Sequence, residues 1–282
     1  MERTVSEQQR ESRAGEGAPD GLWAKCPQCG NMLYQPELRD ELYVCRHCGH
    51  HRRLTARERI AITADDGSFH ERDAHMRSSD PLGFPGYREK LREDEDATGL
   101  RDCLVWGGCT VEGLPVALAV MDFSFRGGSM GAVVGEKFAR AAEYAVAHRV
   151  PLLGFACSGG ARMQEGIVSL LQMAKTSAVV GELNRSRVPF IMIYTDPTTA
   201  GVFASFASLG DITIAEQKAL VGFAGPRVIE KAFKIKLPPG SHTAEFQCEH
   251  GMVDIVVSRR QLRPLLVRVL RLLSPRSEEG VQ

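Results

Sequence analysis

A serine flanked by a cysteine and two glycines directly follows an apolar run in the middle of this 282-residue chain. The run at residues 151–156 leads into "CSGGARMQEG", residues 157–166, and a helical pattern begins immediately afterwards. Two chemistries fit such a turn. Ser158 could be a nucleophile on a relaxed form of the strand–turn–helix elbow G-x-S-x-G. Alternatively, the glycine backbone could offer free N–H groups to a negatively charged oxygen, since N–H groups at a helix start lack intrahelical partners.

The serine hypothesis also requires an acidic residue and a histidine later in the chain. Candidates in the required order are Asp196, Asp211, His242 and His250. Because any chain of this length offers such residues, their order is weak evidence. Cys157 is a weaker nucleophile candidate still, since no neighbouring residue marks a lowered thiol pKa. We therefore rank a hydrolase second.

Backbone donors are the chemistry we favour, because glycine turns of one kind recur along the chain. They lie in "FRGGSMG", "CSGGARMQEG", "DPTTAG" and "GFAGPR". None matches the phosphate-binding patterns G-x-x-x-x-G-K-[ST] or G-x-G-x-x-G. A single Gly–Gly pair is best explained as a tight turn. Four such turns in one domain favour a site that binds an acyl group or stabilises an oxyanion.

The eight cysteines divide into two groups. The spacing C-x2-C-x15-C-x2-C, which is typical of a four-thiolate zinc site, is formed by Cys26, Cys29, Cys45 and Cys48. Four cysteine ligands leave no open coordination position, so the spacing predicts one structural Zn²⁺ ion. The other four are dispersed and are predicted to be small core residues: Cys103, Cys109, Cys157 and Cys248.

The glycine turns must be held by the elements around them. Apolar runs at residues 114–123, 152–156 and 188–195 predict buried strands, each followed by a glycine turn and a helical segment. This repetition predicts an α/β core with mainly parallel strands.

Helical periodicity predicts which residues face that core. In the helix over residues 136–148 they are Phe138, Ala141, Ala142 and Ala145. In the helix after "CSGG" they are Ile167, Leu170, Leu171, Ala174 and Ala178. A last helix is predicted over residues 260–273.

Composition places the protein among ordinary globular chains. It is 43% hydrophobic and 25% charged, and 35 Lys and Arg balance 35 Asp and Glu. A net charge of zero argues against a protein built wholly to coat nucleic acid. Apolar runs fall short of the about 18 residues of a membrane span, and the N-terminus lacks an apolar signal core. We therefore expect a cytoplasmic protein without disulfides.

Two domains are predicted between two tails. Residues 1–22 are expected to be a disordered tail, residues 23–53 a zinc ribbon and residues 275–282 a second tail. Residues 54–274 form the large domain. Within it, residues 54–100 are charged and rich in turns, and they are interpreted as a connecting region with a short helix.

Several long segments resemble, in register, the β subunit of bacterial acetyl-CoA carboxylase carboxyltransferase. They are "KCPQCGNMLY…VCRHCGHHRRLTARERI", "FRGGSMGAVVGEKF", "SGGARMQEG…LLQMAKTSA", "TDPTTAGVFASFASLGD" and "IAEQKALVGFAGPRVIEK…KLPPG". The resemblance runs from about Trp23 to Arg260, and several of its motifs exceed eight residues, so it is far more specific than any single pattern above.

This resemblance implies a crotonase-like fold of ββα units, in the ClpP/crotonase superfamily, preceded by the four-Cys zinc ribbon. It implies transfer of a carboxyl group from carboxybiotin to acetyl-CoA, giving malonyl-CoA for fatty acid synthesis. The implied partners are a carboxyltransferase α subunit in an α2β2 heterotetramer, a biotin carboxyl carrier protein and biotin carboxylase. Because the chain has no Met-Lys-Met motif, biotin must arrive on another protein.

The resemblance also assigns roles to residues of the glycine turns. Gly159, Gly160 and the N–H of Ala161 are predicted to form a backbone oxyanion hole. Gly127 and Gly128 are predicted to shape the acyl-CoA pocket. Arg162 is a candidate for substrate binding, although an exposed or paired structural arginine fits its position equally well. No protein nucleophile is needed, since the biotin ureido nitrogen can deprotonate the acetyl methyl group.

Two alternatives stay open at this point. A propionyl-CoA carboxyltransferase would need only a slightly larger pocket, and one methylene is worth only about 1–3 kcal/mol. Zinc ribbons with flanking basic residues also bind nucleic acid. We favour a ribbon that covers the active-site mouth, its basic residues meeting CoA phosphates or acidic neighbours; the candidates are Lys25, Arg46, Arg52 and Arg53.

Overall fold

The computed structural model describes residues 22–238 and 240–273. The predicted tails, apart from Leu22, lie outside the described residues. The chain divides after Arg52 into two units.

The first unit is small and built around its cysteines. Strands β1 (Trp23–Lys25) and β2 (Met32–Tyr34) pair antiparallel, and helix α1 (Gln35–Asp40) follows. Its buried apolar cluster consists of Cys26, Leu33, Leu38 and Cys45, and Val44 is buried as well. A core this small cannot by itself hold a fold, so the metal site predicted within it must contribute much of the stability.

The second unit is a sheet flanked by helices. Its strands are β3 (His70–Arg72), β4 (Leu104–Val111), β5 (Leu114–Met121), β6 (Leu152–Ser158), β7 (Phe190–Thr199), β8 (Ile212–Glu216), β9 (Val221–Gly222) and β10 (Ile255–Val257). Its helices are α2 (Ala56–Thr63), α3 (Tyr87–Thr98), α4 (Ala132–His148), α5 (Gly166–Arg185), α6 (Ala200–Phe203), α7 (Pro226–Phe233), α8 (Ala244–Glu249) and α9 (Arg259–Leu273). Short 3₁₀ helices cover Arg126–Gly128, Met163–Glu165 and Phe206–Leu209.

Parallel pairing dominates the sheet, as predicted. The strand order is β10-β8-β7-β6-β5-β4-β3, and β9 pairs with the end of β7. Pairing is parallel from β5 to β10 and antiparallel among β3, β4 and β5. Because β5, β6 and β7 are parallel neighbours, their carboxyl ends meet at one edge of the sheet. The glycine turns that follow these strands therefore gather at that edge.

Helix α4 packs as its apolar periodicity predicts. Phe138, Ala141, Ala142 and Ala145 are fully buried, and Phe138 contacts the rings of Phe190 and Phe206.

Helix α5 differs from its prediction. Ile167, Leu170 and Leu171, expected in the core, are 62%, 51% and 58% exposed. The buried face carries the polar residues Ser169, Gln172 and Thr176 instead, followed by the apolar Val180 and Leu183. The reason is the close approach of α4 to this face at Gly135. A Cβ atom built on Gly135 would lie 2.1 Å from the Oε1 atom of Gln172, so only glycine allows the two helices to pack this closely. The hydroxyls of Ser169 and Thr176 are satisfied by carbonyls of their own helix.

Residues 54–100 are part of the large domain's architecture as well as a connection. They supply α2, α3 and the edge strand β3. A capping box starts α2, where the Thr55 hydroxyl accepts from Glu58 N and Glu58 accepts from Thr55 N. None of the described helices is both long enough and apolar enough to cross a membrane.

Asp65 ties the β4–β5 hairpin to helix α9. Its carboxylate accepts hydrogen bonds from Thr110 Oγ1, Glu112 N and Gly113 N, and it pairs with Arg263 at 2.7 Å. The hydrogen bonds of Thr110 and of the hairpin backbone lower the pKa of Asp65 from 3.8 to about 2. The ionised form is therefore favoured in the folded state.

We expect Asp65→Asn to lower the melting temperature at pH 7. A depressed folded pKa gives stability that is complete above the unfolded pKa near 4 and lost as pH falls towards 2. The difference between wild type and variant should therefore shrink across that window, as measured by thermal unfolding at several pH values. Asp66→Asn, at the exposed neighbouring carboxylate, is the matched control. A constant difference from pH 7 to pH 2 would contradict the assignment.

Candidate functional site

The four cysteines predicted to bind zinc converge in the first unit. Their sulfur atoms all lie within 4.8 Å of one another, and the pairs Cys26–Cys48 and Cys29–Cys45 are each 3.8 Å apart. Tetrahedral zinc with Zn–S bonds of about 2.3 Å requires sulfur atoms about 3.8 Å apart. The chemistry and spacing of these thiols therefore fit one Zn²⁺ ion.

Tight backbone turns hold these sulfurs in place. Gly30 N donates to Cys26 O at 2.9 Å, and Gly49 N donates to Cys45 O at 2.8 Å. Both glycines have a positive φ, 75° and 71°, a backbone conformation that residues other than glycine adopt only at an energetic cost. The two C-x2-C-G segments thus form equivalent turns, as their spacing predicts.

The turn after β6 engages two of the three donors predicted for the oxyanion hole. Gly159 N donates to Gly127 O at 2.9 Å, and Gly160 N donates to Ser158 Oγ at 3.0 Å. These two N–H groups are occupied within the protein. The N–H of Ala161 is different, since it donates to no described residue. The parallel bridge between Met130 and Ala161 explains this. The bridge uses the groups on either side of Ala161, since Met130 N donates to Gly160 O and Arg162 N donates to Met130 O. The N–H of Ala161 itself therefore points away from Met130.

A second backbone N–H lies beside Ala161, from a segment that the sequence prediction left out. A Cβ built on Gly201 would lie 3.3 Å from Ala161 N, and one built on Gly160 would lie 3.4 Å from Gly201 N. Gly201 belongs to the first turn of α6, where N–H groups have no intrahelical partner. The turns after β6 and β7 thus bring two backbone donors together at one edge of the sheet.

Gly127 and Gly128 join the two glycine turns. Gly127 accepts from Gly159, while Gly128 is buried with a φ of 62°. A Cβ built on Gly128 would lie only 1.9 Å from Cys157 O. Gly128 therefore permits close packing against the end of β6, whereas a Cβ on Gly127 would meet nothing nearer than the Phe123 ring at 3.9 Å.

The nucleophile hypotheses are not supported by the geometry. Ser158 is fully buried, and within the described part of the chain its hydroxyl bonds only to Gly160 N and Gly160 O. Burial raises the pKa of Cys157 to about 12, which keeps its thiol protonated.

The proposed acid and base partners serve other purposes. Asp196 accepts from Leu220 N and Arg53, and Asp211 accepts from Phe190 N. His250 stacks on Phe246, and His242 contacts Ser241. None of these four groups contacts Ser158 among the described residues, and the serine therefore lacks a triad.

Arg162 is not placed to contact a substrate. Its side chain is fully buried and forms a bidentate pair with Asp102, with both N–O distances 2.8 Å. It also donates to Ser129 O at 2.7 Å and lies 3.4 Å from Glu165. The prediction of a role in substrate binding is therefore corrected, since a fully desolvated, paired guanidinium has no donor free for a ligand.

This buried cluster positions both glycine turns. Glu165 accepts from Tyr87 Oη at 2.7 Å, Ser78 Oγ at 2.9 Å and Ala132 N at 2.6 Å. Burial raises the pKa of Tyr87 to about 12, so its hydroxyl remains a donor. Through Arg162, Ser129 and Ala132 the cluster joins the turn after β6 to the turn before α4. It therefore helps to hold the turn that carries Ala161.

Two basic residues named from the sequence have partners within their own units. Arg46 pairs with Glu37 at 2.7 Å. Arg53 pairs with Asp196 at 3.1 Å and lies over the Phe123 ring, 4.4 Å from its centroid.

Family models match the chain at both of its units. The carboxyl transferase domain matches residues 50–244, and the acetyl-CoA carboxylase zinc finger domain matches residues 23–48. A relative from Desulforudis audaxviator, named acetyl-coenzyme A carboxylase carboxyl transferase subunit beta, is 54% identical over 252 residues, which cover 89% of this chain and 91% of the relative. A relative of the same name from Synechococcus sp. WH7803 is 52% identical over 90% of this chain and 88% of its own length.

The chain belongs to the family of acetyl-CoA carboxylase carboxyltransferase β subunits. It is therefore a carboxyltransferase component with a zinc ribbon, and the family expected from the sequence is confirmed.

Solved structures of a transcarboxylase and a decarboxylase have a fold similar to that of this chain. Transcarboxylase 12S, with methylmalonyl-coenzyme A and methylmalonic acid bound, matches with a TM-score of 0.66 and 30% identity over 79% of this chain. This chain spans 41% of that one. The Pseudomonas malonate decarboxylase MdcD–MdcE heterodimer matches with a TM-score of 0.61 over 79% of this chain and 88% of its own, at 24% identity, and shows the fold alone. The expected crotonase-like fold is confirmed.

Proposed function

We propose that this chain, together with a second subunit, transfers a carboxyl group from carboxybiotin to acetyl-CoA and so makes malonyl-CoA for fatty acid synthesis. The observation that carries the proposal is the pair of backbone donors on Ala161 and Gly201, which the turns after β6 and β7 bring together. The names of the relatives supply the substrate, acetyl-CoA. We also propose that the protein acts in the cytoplasm.

The chemistry asks for donors of this kind. The C–N bond between the carboxyl group and the biotin ureido nitrogen breaks, and that nitrogen takes a proton from the acetyl methyl group. The resulting enolate carbon forms the new C–C bond with the carboxyl group. Meanwhile negative charge develops on the thioester oxygen. One preorganised N–H donor aimed at such an oxygen stabilises the transition state by about 2.7–4 kcal/mol.

The exposed face of α5 supports the need for a partner. Ile167, Leu170 and Leu171 are each more than half exposed, and Met163, before the helix, is 80% exposed. A contiguous apolar strip of this kind marks an interaction surface. We assign it to the carboxyltransferase α subunit in an α2β2 assembly, with carboxybiotin delivered by the carrier protein that biotin carboxylase loads.

The proposal is tested on the chain alone and on the chain co-expressed with a candidate α subunit. Each sample is assayed for decarboxylation of malonyl-CoA with a free biotin derivative as carboxyl acceptor, and zinc content is measured alongside. Activity confined to the paired sample, at about one zinc per chain, is the expected result. A stable, zinc-replete pair without activity would overturn it.

Within that assay, Ser158→Ala should keep kcat within about tenfold of wild type. The hydroxyl accepts from Gly160 N at 3.0 Å and donates to Gly160 O at 3.5 Å, and a hydrogen bond of this kind contributes about 1 kcal/mol. Measuring kcat and melting temperature together checks the prediction. An inactive variant with unchanged stability would restore the serine as a nucleophile.

A further inference from the structure

A groove of about 850 Å³ lies at the amino ends of the parallel strands, at the opposite edge of the sheet from the glycine turns. Its floor is formed by Pro115, Pro151 and Pro189, which lie at or just before the starts of β5, β6 and β7. Val146 and Val150 line one side. Pockets that bind small molecules have volumes of roughly 300–1,000 Å³ and mainly apolar walls.

Two arginines stand at equivalent positions in this groove. Arg149 and Arg187 follow α4 and α5, and each precedes the dipeptide Val-Pro and then a strand. Both have a φ of 54°. In each case the N–H of the next valine donates to the carbonyl five residues earlier, at 3.0 Å for Val150 and 2.9 Å for Val188. The same helix-ending turn thus fixes both backbones.

Strand register places these arginines side by side. Leu152 and Phe190 are paired residues of β6 and β7, and each arginine lies three positions before its member of that pair. Neighbouring strands are about 4.8 Å apart. We therefore infer that the backbones of Arg149 and Arg187 lie next to each other at the edge of the same groove.

Within the described residues, no acidic side chain compensates the charge of the groove. Its lining contains both arginines and no acidic residue among the described residues. Both arginines are exposed, and neither forms an ion pair with the described part of the chain. By contrast, Arg185, two residues before Arg187, pairs with Glu182 at 2.6 Å.

We propose that this groove binds an anionic amphiphile, with its carboxylate or phosphate head between Arg149 and Arg187 and its apolar body along the prolines and valines. Two adjacent guanidinium groups suit a doubly hydrogen-bonded oxyanion. The apolar walls suit an alkyl or acyl body rather than a bare inorganic ion. The groove is an additional ligand site of the carboxyltransferase domain.

The test is a calorimetric titration of the full chain with octyl phosphate. Separate titrations with inorganic phosphate and with octanol isolate the head and the body. Octyl phosphate should bind at least tenfold more tightly than either. Arg149→Ala and Arg187→Ala should each weaken that binding at least tenfold, while Arg185→Ala should leave it unchanged. Vesicles of phosphatidylglycerol distinguish a lipid surface from a free amphiphile, and both outcomes retain the same head chemistry.

Several results would overturn the proposal. Equal binding of octyl phosphate by wild type and both arginine variants would show that Arg149 and Arg187 do not contact the ligand and act only as residues at the carboxyl ends of their helices. Equal binding of octyl phosphate and octanol would reduce the groove to an apolar surface. Binding that appears only after removal of residues 274–282 would assign the groove to that segment. Circular dichroism of each variant ensures that a lost titration does not reflect unfolding.

Discussion

Replacing Gly160 with alanine should lower kcat of the assembled carboxyltransferase by about 10²–10³-fold, the effect of losing one oxyanion donor. Gly160 has a φ of 117°, and a Cβ there would lie 2.5 Å from Ala200 Cβ. The turns after β6 and β7 must separate to relieve that contact. Their separation moves Ala161 N and Gly201 N apart, so the thioester oxygen loses simultaneous contact with both.

Two further variants make this prediction specific. Gly127→Ala also places a side chain at a positive φ, but its φ of 64° and ψ of 27° lie in the left-handed helical region, which costs less than a φ of 117°. Its Cβ would come no nearer than 3.9 Å to the Phe123 ring, so kcat should fall much less. Adding Ala200→Gly to Gly160→Ala removes the methyl–methyl collision and should recover part of the lost kcat. Malonyl-CoA decarboxylation measures all three, with KM reported separately. Equal activity of Gly160→Ala and Gly127→Ala would refute a site built on these two turns.

Arg162→Met should destabilise the large domain by about 3–5 kcal/mol, the cost of breaking a buried ion pair from one side. Asp102 would keep its buried charge without the bidentate partner, and Glu165 would lose a cation 3.4 Å away. Burial disfavours the charged guanidinium, yet Asp102 more than offsets this and raises the pKa of Arg162. The guanidinium therefore stays charged in the folded domain.

Denaturant unfolding of the large domain measures this effect. Arg185→Met, at a pair whose arginine side chain is 69% exposed, is the matched control and should change stability by less than about 1 kcal/mol. The double variant Arg162→Met/Asp102→Asn should cost less than the sum of its single variants, because it removes the buried charge of Asp102 together with its partner. A small effect of Arg162→Met, similar to that of the control, would show that the cluster does not hold the turns.

Local chemistry and periodicity determined much of this protein from its sequence. Paired C-x2-C turns require no distant contact to bring two thiols together, so the zinc site was predictable residue by residue. Apolar runs followed by glycines likewise predicted β5, β6 and β7 and their turns, since buried parallel strands are apolar on both faces. The long motifs gave the family.

Tertiary structure decided which groups the site uses. Gly201 joins Ala161 only because β6 and β7 are neighbours in the sheet, and no pattern in "DPTTAG" specifies that pairing. Arg162 was ambiguous because burial of an arginine depends on an acid, Asp102, sixty residues away. In α5, periodicity correctly identified one apolar face, yet the approach of α4 at Gly135 buried the polar face instead. The apolar face is left exposed because packing between helices is set by shape as well as by hydrophobicity.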